Sequence, residues 1–174
     1  MTQKTLFDKD LTFKEAKELI ENGSDVNSIN IIGLTPLYYV QNVEIAQLLI
    51  KHGANVNHQS NVKITPLFYS ETIEIAKLLI AHGADVNHRD YNHHSILYNI
   101  NHQFTGLFIS AGAIPSEITT YYQLRHLFSE EQREAFDMFI TITSDDNDFF
   151  QMCLAYQNDI KNHVKIEIKD MEII

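Results

Sequence analysis

Cysteine and histidine are the residue types of this chain best able to do chemistry. Cys153 and His163 would make a nucleophile and its base if the fold brought them together. However, Cys153 is spaced with Phe149, Met152 and Tyr156 as on the apolar side of a helix, where a thiol is buried and unreactive. We therefore expect a structural cysteine and no catalytic residue.

Two other groups of residues resemble metal-binding sites, but their spacing does not match that of known metal ligands. The run from Asp145 to Asp148 lacks both the glycine and the closing glutamate of a calcium loop. His58 and His88 recur 30 residues apart with His93 close by, so imidazoles gather along one edge, but no cysteine or carboxylate stands at a matching interval. We predict no metal site and no cofactor.

His58, His88 and His93 lie in a part of the chain that is built of repeats. TPLYYVQNVEIAQLLIKHGANVNH at 35–58 returns as TPLFYSETIEIAKLLIAHGADVNH at 65–88. GSDVN at 23–27 closes an earlier copy, and LFISAGA at 107–113 repeats LLIKHGA one residue early. Self-similarity at a fixed period is typical of a solenoid, whose units bury their apolar sides only by stacking. The sequence predicts four repeats over about residues 5–113.

Each repeat contains start and stop signals for helices. Thr35 is the predicted N-cap of a first helix that begins at Pro36, and Thr65 and Pro66 repeat the pair. A second helix follows and ends at Gly53, where glycine supplies the left-handed conformation.

The Thr-Pro-Leu opening, the Glu-Ile-Ala-x-Leu-Leu-Ile run and the Gly-Ala-Asn/Asp-Val-Asn closure together resemble the ankyrin repeat family. The resemblance implies two antiparallel helices per repeat, followed by a hairpin-like loop. These repeats are shorter than the usual length of about 33 residues, by roughly one turn of the inner helix. Lys63 and His93 stand where the family prefers glycine, so either the turn type differs or they adopt a strained left-handed conformation.

Residues 114–174 carry no repeat, and their apolar spacing predicts three helices. Ser129 to Gln132 is a capping-box pattern at the start of the second. The tail alternates Val164, Ile166 and Ile168 with charged residues, as in a strand. The predicted fold is thus all-α: an ankyrin-repeat domain at 1–113, and a mainly helical extension at 114–174 that packs on the last repeat and ends in a strand.

Charge limits the partners. The net charge is −10, of which about −3 falls on residues 1–113 and about −7 on the remainder. Such a surface repels phosphates, which excludes nucleic acid and favours a basic protein, although acidic residues also simply keep proteins soluble. No apolar stretch approaches the ~18 residues of a membrane span, no signal sequence is evident, and Cys153 is the only cysteine, so we expect a cytoplasmic protein with no membrane contact.

The resemblance implies that loop tips and the exposed side of the inner helices bind the partner. Tyrosine there suits interfaces, but Tyr39 and Tyr69 could instead stack on each other, and Tyr38, Phe68 and Tyr98 are predicted core residues. The candidate partner-binding residues are Ile31, Ile32, Asn61, Val62, Lys63, Tyr91, Asn92 and His93 at the tips, Tyr39, Tyr69 and Asn99 on the inner helices, and Asp145, Asp146 and Asp148 in the acidic extension.

Two hypotheses of function remain open. The first is a non-catalytic protein-binding scaffold, most concretely a bacterial immunity or antitoxin-like protein that covers a basic toxin. The alternative is an ankyrin-type effector or adaptor that captures a host or cellular protein. Small size, acidity and the lack of chemistry motivate the first hypothesis.

Overall fold

The computed structural model describes residues 4–98 and 102–163, and it divides the chain into two compact units, Met1–Ala113 and Ile114–Ile174. All regular elements in the described part are helical, which confirms the all-α prediction. The tail predicted as a strand, with Val164, Ile166 and Ile168, lies outside the described residues. The packing of the extension on the last repeat stays a prediction.

Four outer helices recur through the first unit: α1 (Phe13–Glu21), α2 (Val43–Lys51), α3 (Ile73–Ala81) and α4 (His102–Ser110). The first three begin at polar caps: the side chains of Thr12, Asn42 and Thr72 each accept a backbone N–H of the first turn. Each of the four helices is followed by a glycine at positive φ, which ends the helix as predicted. Leu49 and Leu79 are fully buried between neighbouring helices.

The inner element of each repeat is shorter than expected. Pro36–Tyr38 and Pro66–Tyr69 are single turns of 3-10 helix, because the missing residues leave no length for an α-helix. Thr35 and Thr65 precede these turns, but the prediction that their side chains cap them is wrong. Both hydroxyls are buried and have no hydrogen-bond partner.

Asparagine side chains join successive repeats. Asn27 donates its side-chain N–H to the carbonyl of Gly53 at 2.8 Å, and its Oδ1 accepts the backbone N–H of Asn55 at 2.9 Å. Asn57 makes the same pair of bonds one repeat later, to the carbonyl of Gly83 and the N–H of Asp85, each at 2.8 Å.

The series continues into the fourth repeat. Asn87 donates to the carbonyl of Gly112 at 3.0 Å. Because this bond needs the fourth repeat in register, it agrees with the prediction that the LFISAGA segment arrives one residue early.

The second unit contains α5 (Ile118–Leu124), a 3-10 turn (Arg125–Leu127), α6 (Glu130–Ile142) and α7 (Asp146–His163). The three predicted helices are therefore present, and Ser129 and Gln132 form the predicted capping box. Its core is aromatic. The buried ring of Tyr121 packs against Phe128, Phe136 and Phe149 at centroid distances of 5.3–5.9 Å.

A polar cluster ties α5 to α6. The Tyr121 hydroxyl donates to Asp137 at 2.9 Å, and the Arg125 guanidinium pairs with the same carboxylate. Hydrogen bonds from Arg125 hold the pKa of Asp137 below its usual value, while burial raises the pKa of Tyr121 to about 12.

Candidate protein-binding surface

The three loop tips, at 31–33, 61–63 and 91–93, form one backbone ladder. The N–H of Asn61 donates to the carbonyl of Ile32 at 3.3 Å, and the N–H of Tyr91 donates to the carbonyl of Val62 at 3.0 Å. The first residue of each tip thus binds the second residue of the tip before it. This pairing fixes the spacing of the tips along the stack.

A polar side chain immediately before each tip braces the turn. Asn30 Oδ1 accepts the N–H groups of Ile32 and Leu34, each at 3.0 Å. In the third tip, Asp90 Oδ1 accepts those of Asn92 and His94 at 2.8 and 2.9 Å. Short polar side chains favour such turns because they mimic a backbone acceptor.

The last residue of each tip adopts a left-handed conformation. Gly33 has φ +76°, and Lys63 and His93 follow with φ +59° and +66°. Of the two alternatives left open by the sequence, the turn type is therefore kept and the non-glycine residues carry the strain.

Apolar side chains project from the tips. Ile31 is 97% exposed and Tyr91 67%, and Ile32 and Val62 are at least half exposed. Tyr91 makes no ring contact or side-chain hydrogen bond within the described residues. Asn61, Lys63, Asn92 and His93 are exposed beside them. The eight predicted tip residues therefore lie along one ladder, and its apolar members have no evident packing role.

The recurring histidines support the tips. The ring Nε2 of His58 lies 2.9 Å from the carbonyl oxygen of Gly33, and that of His88 lies at hydrogen-bond distance from the carbonyl oxygen of Lys63. Facing a carbonyl, each ring nitrogen must donate a proton, so it is not available to a metal. No cluster of three metal-ligating side chains occurs among the described side chains of residues 4–98 and 102–163.

The two inner-turn tyrosines pack differently. Tyr39 is half-buried with its ring edge-on to Phe7 at 5.9 Å, and its hydroxyl accepts a hydrogen bond from Asn30 at 2.8 Å. Tyr69 packs edge-on to Tyr38 at 5.7 Å and stays exposed. The ring partners are therefore Phe7 and Tyr38, and not each other, because successive inner turns offset the two rings. The remaining inner-helix candidate, Asn99, lies outside the described residues.

Three aromatic residues of the inner turns were predicted to be core residues. The prediction is confirmed for Tyr38, is partly correct for Phe68 and is wrong for Tyr98. Tyr38 is buried, and its hydroxyl proton is shared between the carbonyls of His58 and Ile64 at 2.6 and 2.7 Å. Phe68 is half-buried. Tyr98 is 41% exposed.

Tyr98 is a surface aromatic that sequence reasoning missed. Its ring stacks on His94 at 3.8 Å, and His94 in turn pairs with Asp90 at 3.3 Å. The sequence signal was the missing Asp-Val-Asn closure after LFISAGA, which marks this repeat as the last of the series.

Two of the three candidate aspartates in the second unit have structural roles. Asp145 accepts the N–H of Asp148 at 2.9 Å and caps α7, and Asp146 accepts the N–H of Ile118 at 2.9 Å at the start of α5. The Asp148 side chain has no such role among the described residues.

Cys153 is fully buried. Burial raises the pKa of its thiol to about 12, so the nucleophilic thiolate is suppressed at neutral pH. This setting agrees with the expectation of a structural cysteine.

A stack of short repeats with exposed loop tips defines a repeat scaffold of the protein-binding class. The family model for ankyrin repeats (3 copies) matches residues 11–90, so this part of the chain is made of ankyrin repeats. Ankyrin repeats typically serve as protein-interaction modules rather than as enzymes. No curated protein matches the chain. Within the described residues, no helix is long and apolar enough to cross a membrane.

Proposed function

We propose that the protein is an immunity or antitoxin-like scaffold of a bacterium, which binds a basic protein toxin and blocks it without catalysis. The observation that carries the binding role is the tip ladder, whose backbone is held by hydrogen bonds while the apolar side chains of Ile31, Ile32, Val62 and Tyr91 are exposed. Exposed apolar groups on a braced backbone suit an interface, because little conformational entropy is lost on binding.

The basic character of the partner rests on charge. The whole chain carries −10, and acidic residues dominate its last third. Uncompensated carboxylates at the rim of an interface attract a cationic partner and raise its association rate. Cys153 is buried, and His58 and His88 are each hydrogen-bonded to a carbonyl oxygen, so these three side chains do not suggest an enzyme.

The alternative is an ankyrin-type effector or adaptor that captures a host or cellular protein. The composition of the tips favours it, because Lys63 and His93 are the only basic side chains among the eight tip candidates, none of the eight is acidic, and neither basic residue attracts a basic surface. Under this alternative, the tips contact a patch on the partner that is apolar and either neutral or acidic.

Affinity capture from the source cell, with identification of the retained protein, tests both. A basic toxin whose growth inhibition is relieved by co-expression of this chain would establish the immunity role. A Tyr91→Ala variant should weaken the complex by about tenfold or more if Tyr91 is an anchor, and should do so by faster dissociation. Phe13→Ala, an exposed aromatic on α1, is the matched control. Capture of a cellular protein with no toxic activity would reject the immunity role and favour the alternative.

A further inference from the structure

Helix α6 has an exposed stripe that is separate from its packed side. Glu131, Glu134, Met138 and Ile142 are spaced by three, four and four residues, so they lie along one face over about 16 Å. All four are exposed, Met138 to 54% and Ile142 to 69%. Phe136, on the other side of the helix, is fully buried.

The helix that presents this stripe is firmly held. Its first turn is closed by the capping box of Ser129 and Gln132. One side is fixed to α5 through the bonds of Asp137 to Tyr121 and Arg125. The stripe itself takes part in neither contact, which leaves it free for a partner.

Charge around the apolar pair is one-sided. Glu130, Glu134 and Asp148 have no ion pair or side-chain hydrogen bond in the described part of the second unit, and Glu131 meets only the Tyr156 hydroxyl at 3.5 Å. Asp137 is the one described carboxylate of this unit with a basic partner. Met138 and Ile142 therefore stand between uncompensated carboxylates on α6 and the acidic first turn of α7.

We propose that this stripe docks a basic amphipathic helix of a protein partner. Two apolar side chains of the partner helix, one turn apart, pack against Met138 and Ile142. Lysine or arginine side chains one or two turns further along the partner helix face Glu131 and Glu134. Helices commonly bind through such apolar anchors, and methionine adapts to their shape. The inference rests on the proposed function only in taking the partner to be a basic protein.

The same charges argue against other occupants. Phosphates of nucleic acid or of anionic lipids are repelled by these carboxylates. A second copy of this face would bring like charges together.

The test uses the full chain and a labelled peptide of about 18 residues made of leucine, lysine and alanine, with its leucines on one helical face. The control peptide has the same composition in an order that leaves no apolar face. Fluorescence anisotropy gives the affinity of each at about 50 and 200 mM salt. The amphipathic peptide should bind more tightly than its control.

Protein variants then locate the site. Met138→Ser/Ile142→Ser should weaken amphipathic-peptide binding at least tenfold and keep its salt dependence, whereas Glu131→Gln/Glu134→Gln should weaken binding and flatten that dependence. Phe13→Ser/Ile29→Ser, which removes two exposed apolar side chains of the first unit that belong to neither candidate surface, should change nothing. Circular dichroism checks each fold, and Ile142→Ser alone replaces the double variant if that variant fails to fold.

Equal affinity of wild type and the Met138→Ser/Ile142→Ser variant would overturn the proposal, as would equal affinity for both peptides or loss of binding only in the Phe13→Ser/Ile29→Ser variant. Sedimentation measures whether the wild-type protein is a dimer. A wild-type dimer that dissociates in the Met138→Ser/Ile142→Ser variant would assign the stripe to a second copy of the chain and would also overturn the proposal. If capture finds no basic partner but the stripe binds the peptide, the immunity role alone fails. If a captured basic protein binds this variant as tightly as wild type, the present inference alone fails.

Discussion

Gly33 lies so close to Asn61 that a Cβ atom on the glycine would stand 2.5 Å from the Asn61 side-chain oxygen and 3.0 Å from its backbone nitrogen. The contact is a direct result of the tip ladder, in which the second tip rests on the first. Since Gly33 also has φ +76°, a side chain there is opposed by both crowding and backbone strain.

Gly33→Ala should therefore destabilise the repeat unit by about 1–3 kcal/mol in urea unfolding. Lys63→Gly should be neutral or stabilising by up to about 1 kcal/mol, because relief of its left-handed strain outweighs the added freedom of the unfolded chain. Lys77→Gly in α3 is the control and should cost about 1 kcal/mol. A Lys63→Gly variant that loses as much as Lys77→Gly would contradict the role given to strain at the tips.

Asn57 links two repeats through both ends of its side-chain amide. Asn57→Ala removes both bonds and should cost about 1–2 kcal/mol, because the side chain is exposed and water replaces part of the loss. Gln47→Ala, on the exposed face of α2, should cost less than about 0.5 kcal/mol. Equal unfolding free energies for the two variants would show that the asparagine series does not stabilise the stack.

The buried hydroxyl of Thr35 is unpartnered, so it opposes folding. Thr35→Val keeps the shape and should leave stability unchanged or raise it by up to about 1 kcal/mol. Thr12→Val makes the same chemical change at a hydroxyl that caps α1 and should cost about 1 kcal/mol. If thermal unfolding shows Thr35→Val to be the more harmful of the two, the hydroxyl has a partner after all.

Asp137 makes stability depend on acidity. Because Arg125 lowers its pKa from 3.8, the stabilisation is complete above about pH 4 and is lost as the pH falls through the lower value of the folded protein. Asp137→Asn should thus cost about 1–2 kcal/mol at pH 7, with allowance for its partial exposure, and less at pH 3. Urea unfolding at both pH values measures this. A difference from wild type that does not shrink in acid would be inconsistent with this ion pair, and Asp148→Asn is the control.

Cys153 should resist alkylation while the second unit is folded. At pH 8, iodoacetamide should label the native protein at least about a hundredfold more slowly than the urea-unfolded chain, since the thiol is buried and its pKa is about 12. Cys153→Ser should keep partner binding. Rapid labelling of the native protein, followed by mass spectrometry, would place the thiol at the surface.

Local signals predicted the helical framework well. The capping box at Ser129, the glycine after each outer helix and the buried leucines at Leu49 and Leu79 all depend on residues close in sequence, and all are found. The family match confirms the repeat prediction.

Features that depend on neighbouring repeats were harder to predict. The burial of Tyr38 but not Tyr98 depends on a loop of the following repeat, and the ring partners of Tyr39 and Tyr69 depend on how successive turns are offset. Met138 and Ile142 were missed for another reason. Their spacing fits a helix as well as that of the buried side does, so sequence alone does not say which apolar side chains remain outside.

The asparagine bonds also set how this protein can change its length. Removal of residues 35–64 would bring Asn27 to the carbonyl that Asn57 now binds, and would bring the third tip onto the first, with each bond replaced by an identical one. Removal of part of a repeat keeps these bonds only where the remaining chain still brings each donor to its acceptor, as it does for Asn87 and Gly112 in the fourth repeat, which is one residue short. The Lys9–Glu71 ion pair joins the first and third repeats, so the same deletion would alter it. Insertions and deletions in this chain are therefore expected in whole steps of 30 residues, the interval between Asn27 and Asn57.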